Sequence, residues 1–240
     1  MTGIFLGLQA QALPTLKLNS RQAFPATFTT DYDFSGIVAL DNCSGSLVRF
    51  TQSADTDHAM VLTNGHCVES GFPSAGEVIY RQDSSRNFRL LKSDGSEAGN
   101  ITATQIIYAT MTNTDMALYR TQETYSEIQS KFGIAALQLA ATHPLAGVGI
   151  EVISGYWGRG FTCAIETFVN QLKEDQWTWV DSMRYSRPGC ETYGGTSGSP
   201  VLAAGSRVVI GINNTGNESS LECTVNNPCE VDREHYIWSC

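Results

Sequence analysis

The chain carries many short segments in which hydrophobic and polar positions alternate. These segments are rich in Val, Ile, Thr and aromatic residues, and Gly, Asn, Asp or Ser bounds most of them. Alternation over a few residues is typical of half-buried β-strands, whereas an amphipathic helix repeats its apolar positions every three to four residues. We therefore predict an all-β fold in which helix is the minor element.

The predicted strands form two sets. The first set contains 35–40, 46–50, 59–63, 77–81, 102–108 and 116–120. The second set contains 149–154, 162–169, 177–183, 200–203 and 208–213, with a turn at Gly205 and Ser206 between the last two. The pattern divides the chain into an N-terminal unit over about 34–122, a linker over 123–145, a C-terminal unit over 146–225 and a tail over 226–240.

The linker contains the clearest helical signals. Thr124 followed by Glu127 is a capping-box pattern, apolar residues follow at helical spacing, and Gly133 is a typical stop. These signals predict a short helix. A second short helix is predicted in the tail over 231–238, where two apolar residues would pack back on the molecule.

The first residues are similar to the end of a secretory signal peptide. Residues 3–8 form a short apolar run, and Ala10 and Ala12 are small residues of the kind found at a cleavage site. We therefore assign 1–12 to a signal remnant and 13–240 to the folded domain. The alternative is an ordinary surface segment, since no Lys or Arg precedes the run.

Composition and charge exclude several classes of protein. Hydrophobic residues make up 42% of the 240 residues, enough for a sizeable core, and the formal charge is -9. An acidic protein repels the phosphate backbone, so we expect no nucleic-acid partner. No segment approaches the roughly 20 continuous apolar residues that span a bilayer, which argues against a membrane-embedded protein. We expect a monomer.

Seven cysteines lie singly along the chain, at positions 43, 67, 163, 190, 223, 229 and 240. Single cysteines are typical of disulfides, which form in an oxidising compartment, so we expect a secreted or periplasmic protein. A zinc site formed by Cys223, Cys229, His235 and Cys240 is disfavoured because the spacings are irregular. We predict neither a metal nor a cofactor.

A glycine-rich stretch around Ser197 is the strongest candidate for chemistry. In the sequence GGTSGSP at 194–200, glycines allow an exposed serine hydroxyl and backbone N–H groups that turn toward one point. In a peptide hydrolase, the N–H groups of Gly195 and Ser197 would stabilise the charge that develops on the substrate oxygen. The alternative is a flexible Gly-Ser loop.

A serine hydroxyl needs a base before it becomes a good nucleophile. Of the four histidines, His66 has the most suggestive surroundings, because an apolar segment precedes it and Cys67, which a disulfide would hold, follows it. The base in turn needs a carboxylate that fixes its tautomer and offsets its charge. Asp115, directly ahead of the apolar segment 116–120, is the candidate, and the alternative is a residue that caps a strand.

Three short motifs resemble those of the chymotrypsin and trypsin-like serine peptidases. LTNGHC at 62–67 resembles the family's histidine motif, DMAL at 115–118 its aspartate motif and GTSGSP at 195–200 its serine motif. The order His, Asp, Ser also matches, and it excludes the α/β-hydrolases, in which serine comes first. The resemblance covers roughly 34–216 and is greatest to secreted bacterial members such as glutamyl endopeptidases.

The resemblance implies two six-stranded antiparallel β-barrels with the active site in the cleft between them. It implies Ser197 as nucleophile, His66 as general base and Asp115 as the residue that orients the base. We therefore expect a secreted serine endopeptidase that cleaves proteins or peptides through an acyl-enzyme. Alternatives on the same fold are a binding protein without activity and a toxin-like peptidase with one narrow protein target.

Substrate selection is also inferred from the resemblance. It assigns substrate contacts to Glu191, Thr192, Asn213, Asn214, Thr215 and Gly216. A carboxylate at the base of the pocket favours Arg or Lys before the cut, whereas Thr192 suits an acidic side chain as in glutamyl endopeptidases. We slightly favour a basic residue before the cut.

The resemblance further implies two disulfides. Cys43 would pair with Cys67, and Cys190 would bridge to Cys223 across the pocket. The pairing of the remaining cysteines, at 163, 229 and 240, is left open.

Overall fold

The computed structural model describes residues 31–219, 221–231 and 237–239. The predicted signal remnant at 1–12 lies outside these residues. The described chain is mostly β-structure with one α-helix, as the alternating pattern predicts. No helix among the described residues is long and apolar enough to cross a membrane.

Six strands of the N-terminal unit close into an antiparallel barrel. The strands of this unit are β1 (Ile37–Ala39), β2 (Ser44–Arg49), β3 (His58–Thr63), β4 (Val78–Asp83), β5 (Asn87–Leu91), β6 (Glu97–Thr110) and β7 (Met116–Thr124). The ring runs β1, β5, β6, β7, β3, β2 and back to β1, and β4 pairs with β6 outside it. Because side chains alternate across a strand, Phe88, Leu90, Ile101 and Tyr119 all point inward and are fully buried.

The predicted linker helix is confirmed as α1 (Tyr125–Phe132). Thr124 and Glu127 form the capping box, and Gly133 ends the helix in the left-handed region at φ 71°. A strand that the pattern does not predict, β8 (Leu137–Leu139), follows the helix. It pairs in parallel with β2 on one side and with the C-terminal unit on the other, so it joins the two units.

The C-terminal unit is an open sheet. Its strands are β9 (Gly149–Ser154), β10 (Arg159–Glu174), β11 (Trp177–Tyr185), β12 (Pro200–Ala203), β13 (Val208–Ile212), β14 (Cys229–Val231) and β15 (Ile237–Ser239). The order is β8, β13, β12, β9, β10, and both β11 and β14 pair with β10. The pairings of the described residues therefore do not close the second six-stranded barrel that the resemblance implies, because β14 joins the far end of β10.

The helix predicted over 231–238 is not formed in the described part of the tail. Instead, β14 pairs with 171–173 of β10 and with β15. The edge of β10 offers hydrogen-bonding partners along a whole strand, whereas an isolated helix of two turns is only marginally stable.

The hairpin of β10 and β11 reaches across to the N-terminal barrel. The indole N–H of Trp177 donates to the carbonyl of Pro73 over 2.9 Å, and that of Trp179 donates to the carbonyl of Met111 over 3.1 Å. Both indoles are buried, so their apolar rings are removed from water while their N–H groups keep hydrogen-bond acceptors. This contact places the hairpin beside the loops that carry the predicted base and acid.

Candidate active site

The turn after β3 places His66 beside Asp115. The imidazole Nδ1 lies 2.6 Å from Oδ2 of the carboxylate, and the backbone N–H of His66 donates to Oδ1 over 3.1 Å. The Asp115 side chain is 0% exposed, so these bonds offset much of the cost of burying a charge. When Nδ1 donates to the carboxylate, Nε2 is left to accept a proton.

Close packing holds this turn in place. A Cβ added at Gly65 would lie only 2.1 Å from the carbonyl oxygen of Thr110, so a side chain at this position would push the turn away from β6. The buried amide of Asn64 donates to the backbone carbonyl of Asp115 over 2.9 Å. The base and the acid are therefore connected through the backbone as well as through their side chains.

Arg86 supports the histidine turn from behind. Its side chain is 5% exposed, and the guanidinium donates to the carbonyl of Cys67 over 2.5 Å and to Asn42 Oδ1 over 2.6 Å. A further hydrogen bond from Arg86 lowers the pKa of the Asp41 carboxyl below its ordinary value. The disulfide Cys43–Cys67, which the resemblance implies, forms between the same two loops. The sequence does not indicate a buried Arg86, because an arginine among polar residues is typical of an exposed position.

Ser197 lies in the loop between β11 and β12. The glycines on either side, Gly195 and Gly198, have φ of 89° and 78°, which non-glycine residues adopt only with strain. The N–H of Thr196 donates to the carbonyl of Tyr193 in the same loop, and the N–H of Gly198 donates to the carbonyl of Asn213. Within the described structure, by contrast, the N–H groups of Gly195 and Ser197 have no acceptor. These two donors are available to an external oxygen.

The backbone of Ser197 is fixed, whereas its hydroxyl is bonded away from the base. The carbonyl of Ser197 accepts the N–H of Ser44 at the start of β2 over 2.8 Å. The hydroxyl donates to the carbonyl of Asn214 over 3.3 Å, and among the described residues it has no hydrogen bond to His66. The hydrogen bond between His66 and Asp115 is thus formed, whereas the one between Ser197 and His66 is not.

Asn213 faces the serine loop from within the protein. It is 3% exposed, and its amide donates to the carbonyl and the hydroxyl of Thr196 over 3.2 and 3.1 Å. Its carbonyl oxygen accepts the phenol of Tyr185 over 3.2 Å. Burial raises the pKa of Tyr185, which keeps this donor neutral. The structure therefore gives Asn213, which the resemblance assigns to the substrate, contacts that support the loop of the nucleophile.

A groove of about 1250 Å³ lies between β11, β13 and the loops beside Asp115. All six residues that the resemblance assigns to the substrate line it, namely Glu191, Thr192, Asn213, Asn214, Thr215 and Gly216. Asp115 also lines it, whereas His66 and Ser197 are not among its lining residues, so the groove adjoins the triad. Glu191 is exposed and forms no ion pair with any described residue.

The implied bridge between Cys190 and Cys223 is wrong. Cys190 pairs with Cys163 of β10, and Cys223 pairs with Cys229. The loop before Cys190 is hydrogen bonded to β10, since the N–H of Ser186 donates to a β10 carbonyl over 2.8 Å. This contact brings the loop next to Cys163. The zinc alternative fails as well, because Cys223 and Cys229 are in a disulfide; its other two residues lie outside the described part of the chain.

Glu174 is a buried acid that sequence analysis did not single out. It ends β10 and is 4% exposed. Its carboxylate accepts the hydroxyl of Thr215 and, over 2.9 Å, the backbone N–H of Asn226. Burial raises the pKa of Glu174 above its ordinary value, although both hydrogen bonds act against the shift. An acid next to a polar hairpin turn is typical of an exposed position, so its sequence context gave no hint of this role.

Comparison with known proteins identifies the family. Residues 43–212 match the trypsin-like peptidase domain. The chain belongs to the trypsin-like peptidase family. The matched region includes all three predicted triad residues. No curated protein matches the chain in sequence.

Several solved structures are similar to this trypsin-like peptidase at low sequence identity. The protease domain of MamO from Magnetospirillum magneticum is 13% identical, with a TM-score of 0.51 over 86% of this chain and 90% of that chain. A thermostable serine protease, AL20, from an extremophilic microorganism is 17% identical, with a TM-score of 0.46 over 80% and 88%. A Glu endopeptidase is 16% identical, with a TM-score of 0.45 over 76% and 80%. The first likeness shows a chymotrypsin-like fold.

Proposed function

We propose that this protein is a serine endopeptidase with Ser197 as nucleophile, His66 as general base and Asp115 as the residue that orients the base. The hydrogen bond of 2.6 Å between His66 and the buried carboxylate is the observation that carries the proposal. A carboxylate in this position fixes the imidazole tautomer and stabilises the imidazolium that forms during the reaction. Family membership supports the same reaction class.

The reaction begins when Ser197 Oγ attacks the carbonyl carbon of the scissile peptide bond. The hydroxyl proton moves to His66 Nε2, and the carbonyl oxygen becomes an oxyanion that accepts the free N–H groups of Gly195 and Ser197. The C–N bond then breaks, and His66 returns the proton to the leaving amine. Water attacks the remaining ester with His66 again as base, which releases the acid product and restores the serine.

One rearrangement must precede this attack. The Ser197 hydroxyl has to leave the carbonyl of Asn214 and turn to His66. The backbone of the loop is held by the N–H of Ser44, which donates to the carbonyl of Ser197, and by the carbonyl of Asn213, which accepts the N–H of Gly198. Catalytic hydrogen bonds in free enzymes often tighten only when the substrate binds.

The groove next to the triad supports recognition of the side chain before the cut. Glu191 lines this groove and has no ion pair among the described residues, so its charge is available to Arg or Lys of the substrate. Cleavage after an acidic residue, which Thr192 would support, is the competing outcome. A peptide library decides between the two by the residue that precedes the cut.

The disulfides support an extracytoplasmic location. Three disulfides form among the described cysteines, and such bonds persist in oxidising compartments. We propose that the protein acts on proteins or peptides outside the cytoplasm, as a monomer.

The proposal is tested by incubating the purified protein with a mixed peptide library and identifying the products by mass spectrometry. We expect internal cleavage by the unmodified protein and a loss of at least about 1000-fold in Ser197→Ala. Ser199→Ala is the matched control, because this buried hydroxyl in the same loop has no hydrogen-bond partner among the described residues. Equal products from Ser197→Ala would contradict the proposal.

A binding protein without activity is the second candidate. The bond from the Ser197 hydroxyl to Asn214, in place of His66, is the observation that favours it. That candidate predicts no cleavage of any library peptide by folded, disulfide-bonded protein, together with retained affinity for a peptide or protein partner.

A further inference from the structure

Three exposed aromatic side chains lie together beside the loop of the nucleophile. Tyr156, Trp157 and Tyr193 are 39%, 49% and 40% exposed. The ring centres of Tyr156 and Trp157 are 4.9 Å apart, and those of Trp157 and Tyr193 are 5.6 Å apart. We call these three residues the aromatic platform. Single exposed aromatic residues are common on protein surfaces, whereas a contiguous apolar patch marks a binding site.

Hydrogen bonds hold the platform in place. The indole N–H of Trp157 donates to the carbonyl of Gly194 over 2.9 Å, and the backbone N–H of Tyr156 donates to Ser44 Oγ over 3.1 Å. The third ring, Tyr193, packs edge-on against buried Phe161 at 5.9 Å. The rings are therefore ordered before any ligand arrives, which lowers the entropic cost of binding.

The platform is continuous with the candidate oxyanion site. A Cβ added at Gly195 would lie 2.7 Å from Trp157 Nε1 and 2.9 Å from Tyr156 Cδ1. These two rings thus pack directly against the glycine whose N–H is free. On its other flank the Ser197 hydroxyl donates to the carbonyl of Asn214, which begins the half-buried segment 214–216 that the resemblance assigns to the substrate.

We propose that the aromatic platform binds the part of a peptide substrate that follows the scissile bond, and that it selects an aromatic or large apolar side chain there. The inference rests on the proposed function. We expect the part of the peptide before the cut to lie along 214–216 and the scissile carbonyl oxygen to accept the N–H groups of Gly195 and Ser197. The part after the cut then leaves beside Gly195, where the platform lies. Edge-to-face contact with a substrate ring is the arrangement that exposed, fixed aromatic rings favour.

The test compares two kinds of substrate with the same residues before the cut. One is an anilide with no residue after the cut, and the other is a quenched peptide with Phe directly after it. We expect Tyr193→Ala, which removes a ring from the platform, to lower kcat/KM for the peptide about 10-fold. Trp157→Phe keeps an apolar ring and should lower kcat/KM by a smaller factor. For the anilide, which places no residue on the platform, we expect Tyr193→Ala to lower kcat/KM by less than for the peptide. Tyr80→Ala, which removes a tyrosine that is 62% exposed on β4, is the matched control.

Equal losses with the anilide and the peptide would overturn the inference, since the rings would then only support the oxyanion loop. No loss with either substrate would overturn it too. If the unmodified protein cleaves nothing, the proposed function fails, and the platform is tested by NMR titration with the free peptides Phe-Ala-amide and Gly-Ala-amide. Preferential shifts of the platform residues with Phe-Ala-amide support the site, and equal or absent shifts refute it.

Discussion

Gly198→Ala is expected to inactivate the protein while leaving its two β units folded. Gly198 follows the predicted nucleophile directly and has φ of 78°. A Cβ at this position would lie 2.1 Å from the carbonyl oxygen of Ser44 and 2.2 Å from Thr63 Oγ1. Both atoms belong to the N-terminal barrel, so the added methyl group would push the serine loop away from it.

The size of the effect follows from two separate costs. A left-handed conformation costs alanine about 1–2 kcal/mol, which lowers Tm by roughly 2–8 °C in a protein of this size. Contacts of about 2 Å must also open by about 1 Å before they become tolerable, and a misplacement of about 1 Å at a reacting group lowers the rate about 100-fold. The clash displaces the loop that holds Ser197, so it lowers activity as well as stability.

Gly205→Ala separates the two costs. Gly205 also has a left-handed φ, of 69°, but a Cβ there has nothing within 4 Å. We expect both variants to lose a similar amount of Tm from backbone strain, with a further loss for Gly198→Ala from the clash. Only Gly198→Ala should show the drop of about 100-fold in the rate of anilide hydrolysis. A Gly198→Ala variant with wild-type activity would refute the packing described for this loop.

Three further variants test the supports of the site. The double variant Cys43→Ala/Cys67→Ala lacks the disulfide, and we expect its free energy of unfolding in a urea titration to be lower by about 3 kcal/mol, because the disulfide closes a loop with a sequence separation of 24. An unchanged urea midpoint would contradict this. Thr124→Ala removes the helix cap and should cost about 1 kcal/mol in the same assay, with no change in activity; a loss of activity would show that α1 supports the site. Burial raises the pKa of Glu174 above its ordinary 4.5, so its contribution to stability is full below pH 4.5 and is lost as the pH rises through the folded-state pKa. The glutamine in Glu174→Gln does not titrate, so the stability of this variant relative to the unmodified protein should rise from pH 4 to pH 8. A difference in stability that stays constant or falls would contradict the raised pKa of Glu174.

Local pattern predicts most of the strands. The segments 149–154 and 200–203 are predicted with the bounds that β9 and β12 have in the structure, because an apolar run lies between clear turn residues. The helix α1 is also predicted from local signals, namely its capping box and the glycine that ends it. Strand β10 is longer than predicted, since its outer half, near Gln171, alternates too little and gains its partners from β11 and β14.

What the sequence cannot predict is mostly non-local. The partner of Cys163 depends on how the loop before Cys190 lies along β10, and neither the spacing nor the family pattern encodes that geometry. The sequence likewise does not indicate the hydrogen bonds that turn the side chain of Asn213 toward Thr196. Glu174 escaped notice because an acid looks exposed until its neighbours are known.

The most direct test of the proposed function is labelling with a fluorophosphonate probe, followed by peptide mass spectrometry. We expect one adduct per molecule, on Ser197, formed at a rate that falls by at least about 1000-fold when His66 is replaced by Ala. Folded, disulfide-bonded protein that takes up no probe, or that carries the adduct on another residue, would contradict the assignment of Ser197 and His66 as nucleophile and base.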